Sequence, residues 1–457
     1  MKVTAVIAEY NPLHNGHVLH INAAKEATGA DFMVAVMSGD YVQRGCPAIV
    51  SKYERTRSVL MAGADLVLEL PLVYSSASLE YFALGAVSLI QRSGIADCIS
   101  FGSECGDTEL LKEASGYIKF LSSTVSPTDS CMSGKSSLSA DSGISGKAAL
   151  TDKSGISVEP DGTYIKDSLS RGINYSCAVN SGDNIPEHIR DVLRTPNNLL
   201  AAAYIKAAKL LSFDCEFHTV KRTGSDYHDS SAGALSSSAL RRELLNPSAA
   251  EEIELQALST RMPSQVFSSL CEYLDKYPAM SEDDLSLLLF HKLQPFGDEP
   301  KALTRFLDVS SSLAHKIIRE YAHASSFTDL CMKLKSKDLN YARISRALTH
   351  ILLDIKARDV HEYTADGWHY YIRPLGLSRS SSVLMHELKL HSGIPIISKI
   401  ADAPQILTDH FPDGTRYNHA LRMFRSGILA SDLYNKTACS KCRQLFISEY
   451  ERSPVVL

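Results

Sequence analysis

The chain has 457 residues, 44% of them hydrophobic, and a formal net charge of −5. That length exceeds what one ordinary core organises, so two domains with room for an insertion are expected, and the mild negative charge excludes wholesale coating of nucleic acid while leaving local basic patches open. No apolar run approaches the roughly 20 residues of a membrane span, and the start of the chain turns polar after about one strand's length instead of forming a signal peptide, so no membrane contact and a cytoplasmic location are expected.

The ten cysteines are scattered instead of spaced as a disulfide framework, and read as mostly reduced thiols. Cys439 and Cys442 form a C-x-x-C, but no second Cys/His pair lies nearby to complete a tetrahedral zinc site, so an ordinary surface turn is the simpler reading and no metal ligand is assigned.

In chain order, residues 3–9 form a short apolar, β-branched run, and residues 16–28 carry helical spacing in Val18, Leu19, Ile21, Ala24 and Ala27. A second strand is expected over 32–37. Ser51-Lys52-Tyr53-Glu54 has the form of a capping box, predicting a helix to about Ala62 that stops at Gly63. Residues 65–70 read as a third strand, 77–91 as a helix and 98–101 as a fourth strand. Continuous apolar strands alternating with amphipathic helices predict an α/β, Rossmann-like domain with a parallel sheet covered on both faces, whose ligands collect beyond the carboxyl ends of the strands.

Residues 121–162 turn to Ser, Gly, Thr and Lys and read as a flexible surface insertion. The Gly-Lys-Ser at 134–136 is not a P-loop, because the first glycine of that motif would fall at Asp129 and no strand precedes it. Further on, a helix over 199–211, a strand over 216–220 and a helix opened by the serines at 236–238 are expected. Residues 250–360 are rich in helical periodicity, and 367–457 mix short strands with helices. The division predicted is residues 1–245 for the nucleotide-binding domain and 246–457 for a mainly α-helical, α+β second domain.

The chemistry concentrates in Asn11-Pro12-Leu13-His14-Asn15-Gly16-His17, between the first strand and first helix. Gly16 permits close backbone approach, the helix start offers amide donors and a favourable dipole, and His14 and His17 can donate to phosphate oxygens during in-line displacement of pyrophosphate. A metal pair on a helix face competes with this reading, but it lacks a glutamate and a third ligand.

H-x-G-H after a first strand resembles the nucleotidyltransferase superfamily. Glu9-Tyr10-Asn11-Pro12, Met37-Ser38-Gly39, Gln43-Arg44-Gly45, Ser51-Lys52, Leu68-Glu69-Leu70-Pro71 and Phe101-Gly102-Ser103-Glu104, in this order, are similar to the tRNA(Met) cytidine acetate ligase family. Pro196-Asn197-Asn198, Lys221-Arg222, Tyr227-His228-Asp229 and the run from Arg343 to His350 extend the likeness across most of the chain. The resemblance implies an ATP-dependent ligase that makes acetyl-adenylate from acetate and transfers the acetyl group to the wobble cytidine of elongator tRNA(Met), giving N4-acetylcytidine, with AMP and pyrophosphate released. It implies an ATP site of Ile7, Ala8, Glu9, Tyr10, Asn11, Pro12, Leu13, His14, Asn15, Gly16, His17, Val18, Leu19 and His20, completed by Gly102, Asn197, Arg222 and Thr223, with His14 and His17 catalytic. Mg2+ can accompany the ATP.

Ser237, Ser238 and Arg241 resemble the superfamily's second phosphate-binding signature, with plain helix capping as the alternative. Gln43, Arg44 and Lys52 could face acetate or pyrophosphate. For tRNA, Lys333, Lys335, Lys337, Arg343 and Arg346 with Tyr341 and His350 form one basic-aromatic stretch, and Arg416, Arg422 and Arg425 with Tyr417 and Phe424 another; solvated helix faces are the alternative. Two other functions stay open from the residues alone: an adenylyltransferase acting on a phosphorylated cofactor precursor, and a non-catalytic RNA-binding protein.

Overall fold

The structure is a computed structural model describing residues 1–120, 185–222, 236–245 and 258–457. The expected insertion at 121–162, the Tyr227-His228-Asp229 motif and Thr223 lie outside the described residues.

Nine strands are described: β1 (Val3–Ala8), β2 (Phe32–Ser38), β3 (Tyr41–Val42), β4 (Cys46–Pro47), β5 (Leu66–Leu70), β6 (Cys98–Ser103), β7 (Glu216–Lys221), β8 (Pro374–Leu377) and β9 (Val455–Val456). Seven form one sheet in the order β7-β6-β1-β2-β5-β8-β9. The five strands from β7 to β5 are parallel throughout, as the alternation of strand and helix predicts. Their inner residues are apolar on both sides: Val34, Ala35, Val36 and Met37 of β2 are all buried, because helices cover both faces. One face packs the helices Asn15–Thr28, Lys52–Met61 and Ser264–Leu274, the other Leu79–Ser93 and Pro196–Leu210.

The far edge is built from late sequence. β8 pairs antiparallel with β5, and β9 runs parallel to β8, so residues beyond 370 complete the sheet that residue 3 begins. Between them lie mainly helices, including the 29-residue helix Gly414–Cys442. Cys439 and Cys442 sit in the last turn of that helix, not in a surface turn, and the Cys442 thiol faces the Ala438 carbonyl at 3.2 Å. Among the described residues no helix is long and apolar enough to cross a membrane.

Ser51 caps its helix by accepting from the Glu54 amide at 3.3 Å, but the reciprocal half of the expected capping box is not made. The Glu54 carboxylate instead accepts from Ser269 Oγ at 2.7 Å, across the interface with Ser264–Leu274, and burial raises its pKa to about 7. Tertiary packing offered a better partner than the local turn.

Candidate active site

Strand order reverses between β1 and β6: from β1 the chain builds outward through β2 to β5, then crosses back to lay β6 and β7 on the other side. Such a switch point leaves a crevice at the carboxyl ends of the two central strands, and here those ends carry the loop after Ala8 and Gly102.

The loop begins at Tyr10, which holds a φ of 48° and packs its ring edge-on against His17, centroids 5.0 Å apart. The first helix then starts with His14 as its N-cap, an unusual residue there. His14 Nδ1 accepts from the Gly16 amide at 3.1 Å, and His17 Nδ1 accepts from the His14 amide at 3.2 Å. An aromatic capping box results, with the two rings stacked 3.9 Å apart. A Cβ on Gly16 would come within 2.9 Å of the His14 ring, so the glycine in H-x-G-H makes room for the first histidine.

These contacts fix the proton. A neutral imidazole whose Nδ1 accepts carries its hydrogen on Nε2, so both rings become Nε2–H donors. Neutrality is enforced by surroundings: burial holds His14 down at about 4, with the Arg222 charge adding to it. Burial first, then His14, His20 and Arg222, lower His17 well below its ordinary value. His20 is lowered to about 4 by burial, His218 and Arg222, and its Nε2 lies 3.2 Å from Ser100 Oγ on β6. The Arg222 charge thus acts on all three rings, and its stem passes beside Gly102, 3.6 Å from where a Cβ would stand.

The expected amide donors are already engaged. Asn15 N–H donates to the Arg261 carbonyl at 2.8 Å, Gly16 N–H to the His14 ring, and the amides of His17 and Val18 to the His14 carbonyl. The Asn15 side chain turns to the Thr260 carbonyl at 3.0 Å. The donors left unengaged at this helix start are thus the imidazole Nε2–H groups, because the N-cap is itself a ring that consumes an amide.

The serine-rich helix Ser237–Leu245 docks on the same loop. Ser237 Oγ donates to the Pro12 carbonyl at 3.3 Å, and Arg241 donates to the Asn11 carbonyl at 2.6 Å and to Ser238 Oγ at 3.1 Å. Capping itself is done by Ser236, which accepts from the Ala239 amide. Arg55, not singled out in the sequence, clamps the ends of β1 and β2: fully buried, it donates to the carbonyls of Glu9, Ser38, Gly39 and Val50. An arginine four residues into a capped helix, pointing at strand ends, carries no sequence signal of its own.

Other expected residues are placed differently. Leu19 is 63% exposed on the outer face of its helix. Ile7 and Ala8 are half-buried strand-end residues, Leu13 is buried in the core, and Val18 packs at its margin. Asn197 is brought to the loop after β6, where its amide donates to Glu104 Oε1 at 2.6 Å. Lys52 is fully buried, bonded to Glu69 at 2.8 Å, Glu449 at 2.5 Å and Ser431 at 2.8 Å, because residues 431 and 449 close over it from the far end of the chain. Gln43 N–H donates to Glu9 Oε1 at 2.8 Å, and Arg44 is exposed in the turn between β3 and β4.

The basic stretches divide as well. Arg346 pairs with Asp308 at 3.3 Å, and His350 is buried between the carbonyls of Leu307 and Ser76. Arg343 is half-buried in the field of the same Asp308, while Lys335 and Lys337 are exposed and Lys333 pairs with Asp329. Arg422 is held by Asp359 and Glu362, Phe424 is buried, Tyr417 packs at the core margin, and Arg416 lies over Phe411. A nearby carboxylate or core, invisible in linear spacing, decides the cases of Lys333, Arg346, His350, Arg422 and Phe424, while Lys335 and Lys337 stay in solvent. Among the described residues no group of three or more His, Cys, Asp or Glu is arranged to hold a metal.

The family model described as HIGH Nucleotidyl Transferase matches residues 1–133 and 147–446. A tRNA(Met) cytidine acetate ligase of Thermoanaerobacter sp. is 32% identical over 95% of both chains, and one of Clostridium novyi is 30% identical over 94% of this chain and 96% of its own. Over the full length of both chains, the fold is similar to crystal structures of Thermotoga maritima TmcAL, bound with alpha-thio ATP (TM-score 0.81, 22% identity) and apo (TM-score 0.82, 23% identity).

Proposed function

The chain belongs to the HIGH nucleotidyl transferase family, among its tRNA(Met) cytidine acetate ligases, and from that premise we propose that it activates acetate with ATP and acetylates N4 of the wobble cytidine of elongator tRNA(Met). An acetate oxygen attacks the α-phosphorus and pyrophosphate leaves; the cytidine amine then attacks the acetyl carbon and AMP leaves. The observation that carries the reading is the pair of imidazoles whose Nδ1 atoms accept backbone amides, leaving Nε2–H on each as a preorganised donor for charge developing on phosphate.

In this proposal residues 7–20, Gly102 and Arg222 hold ATP, with His14 and His17 as the catalytic donors. Asn197 and Thr223 complete the site on the strength of the family likeness, and Ser238 and Arg241 stand beside the Asn11 carbonyl at its second edge. Mg2+ can accompany the ATP. Residues 1–245 perform the activation and residues 246–457 position the RNA, in the cytoplasm. The test is twofold: purified protein should exchange pyrophosphate into ATP only with acetate present, and cells lacking the gene should lose N4-acetylcytidine from elongator tRNA(Met). Exchange that ignores acetate, or unchanged nucleoside content, rejects the assignment.

A further inference from the structure

A cavity of about 330 Å³ opens between the turn after the helix Tyr341–Leu352, the helix Ala357–Ala365 and the long helix Gly414–Cys442. Its walls are apolar at Leu353, Ile355 and Leu421, and its size matches a site for a small planar group. Val73, directly beyond β5, contributes one side, which places the cavity at the carboxyl edge of the sheet, the edge that also carries the histidine loop. β5 is two strands from β1, a lateral offset of roughly 10 Å at ordinary strand spacing.

The rim is cationic in a specific way. Arg422 is committed to Asp359 and Glu362 and lies over the Tyr363 ring, so it serves the fold. Arg425, one turn on, is exposed and has no ion-pair partner among the described residues. Lys356 pairs with Asp354 at 3.0 Å, but Asp354 is exposed, is shared with Lys292 at 3.5 Å, and leaves the half-buried lysine in a solvent-screened pair that yields to a phosphate. Asn418 stands exposed at the mouth with both amide donors and an acceptor, and Leu429 leaves 69% of its surface in solvent beside it.

We propose that this cavity receives one unstacked base of the RNA substrate, from the single strand flanking the nucleotide that enters the ATP site, with Arg425 on the adjoining phosphate and Asn418 on the base edge. The inference rests on the functional reading above and adds to it the place where the RNA is gripped. Apolar walls suit a base face, an unpaired guanidinium at the rim suits the phosphate every nucleotide carries, and sequence-specific RNA recognition works on splayed single-stranded bases. Position decides the occupant: a strand running along one sheet edge reaches both sites at once.

The experiment uses the full chain and an elongator tRNA(Met) transcript, with two variants at exposed positions, Arg425→Glu and Asn418→Trp, the second chosen to fill the mouth. Each should weaken tRNA binding about tenfold, the size of one lost base or phosphate contact. Arg425→Glu should also reduce the slope of log affinity against log salt by about one, whereas Asn418→Trp should leave it unchanged. Acetate-dependent exchange of pyrophosphate into ATP, run without tRNA, should stay at wild-type rate in both. Wild-type tRNA affinity in both variants overturns the pocket alone. Exchange that collapses together with binding also overturns it, since the face then serves the fold. A wild-type protein that does not bind this tRNA rejects the functional reading and the pocket with it.

Discussion

Gly45 and Thr349 stand 304 positions apart and meet through a hydrogen bond of 2.7 Å, the Thr349 hydroxyl donating to the Gly45 carbonyl. Ser345 Oγ donates to the same carbonyl at 2.6 Å. Gly45 itself needs to be glycine twice over: its φ is +74°, and a Cβ would stand 2.3 Å from the Arg346 amide nitrogen. The turn that carries Arg44 is therefore pinned to the helix Tyr341–Leu352, while its other end donates to Glu9 at the start of the histidine loop.

Replacing both hydroxyls, Ser345→Ala with Thr349→Val, should thus lower stability by about 2–3 kcal/mol, because one buried carbonyl loses its donors and each such bond contributes about 1 kcal/mol. Below the melting temperature the folded variant should show a raised KM in acetate-dependent exchange, since the turn is freed. Calorimetry and exchange kinetics check this; a variant with wild-type KM and reduced melting temperature would make the contact purely structural.

His17→Ala should lose on the order of 10²-fold or more in exchange rate, the usual cost of one preorganised donor. It also removes the acceptor of the His14 amide, so a stability loss of about 1 kcal/mol should accompany it. His17→Asn, whose side-chain oxygen can take that amide at a cap, should recover stability without recovering rate. Wild-type turnover in either variant would remove His17 from the chemistry.

The pH dependence follows from neutral burial. His14 and His20 titrate near 4 in the folded chain against an ordinary value of 6.5, so between those values the unfolded state binds more protons than the folded one. Their contribution is complete above about 6.5 and is lost as pH falls from there through about 4. Glu449 adds a lower step: its carboxyl is depressed from 4.5 to about 2, so that stability is present above 4.5 and lost toward 2. The acid limb of kcat/KM for exchange should consequently show no inflection near 6.5. Denaturant midpoints across pH 2–8, with the pH–rate profile, check these statements, and a limb at 6.5 would mean that a charged imidazole acts in the free enzyme.

The parallel part of the sheet and the loop that carries the site are legible in the sequence because their causes are local. Val34 to Met37 are apolar in succession because both sides are covered, and Asn11 to His17 falls between a strand and a helix. What is not legible depends on chain far away. β8 falls in a stretch read only as short strands mixed with helices, and its place in the main sheet comes from pairing with β5; Arg346 and His350 read as a basic patch, yet they turn inward because Asp308 and the Leu307 carbonyl wait there. The role of His14 as N-cap is hidden for a different reason: histidine rarely caps, and the Gly16 amide bond to its Nδ1 discloses it only in the fold. Arg55 has no pattern at all, being defined by four carbonyls from loops that meet only in the fold.

Lys52 separates a substrate-facing cation from a structural one. Its ammonium bonds Glu69 and Glu449, and Arg373 bonds the same two carboxylates at 2.8 and 2.6 Å, with Asp40 at 3.9 Å from the lysine. Burial alone would push the Glu449 carboxyl up, yet the charges of Lys52 and Arg373 overcome it. The cluster ties the helix Lys52–Met61 to residues beyond 370, so it joins the start of the chain to its end. Lys52→Met keeps the stem and deletes the charge, leaving three buried carboxyl groups to one guanidinium. Removing one partner of such a cluster costs about 3–5 kcal/mol, chiefly through the charges stranded by it. The expected outcome is a large fall in melting temperature with an unchanged KM for acetate in the protein that remains folded at low temperature. Thermal unfolding together with exchange kinetics at varied acetate decides the matter: a variant that melts like wild type but needs more acetate would show that the lysine reaches the substrate after all.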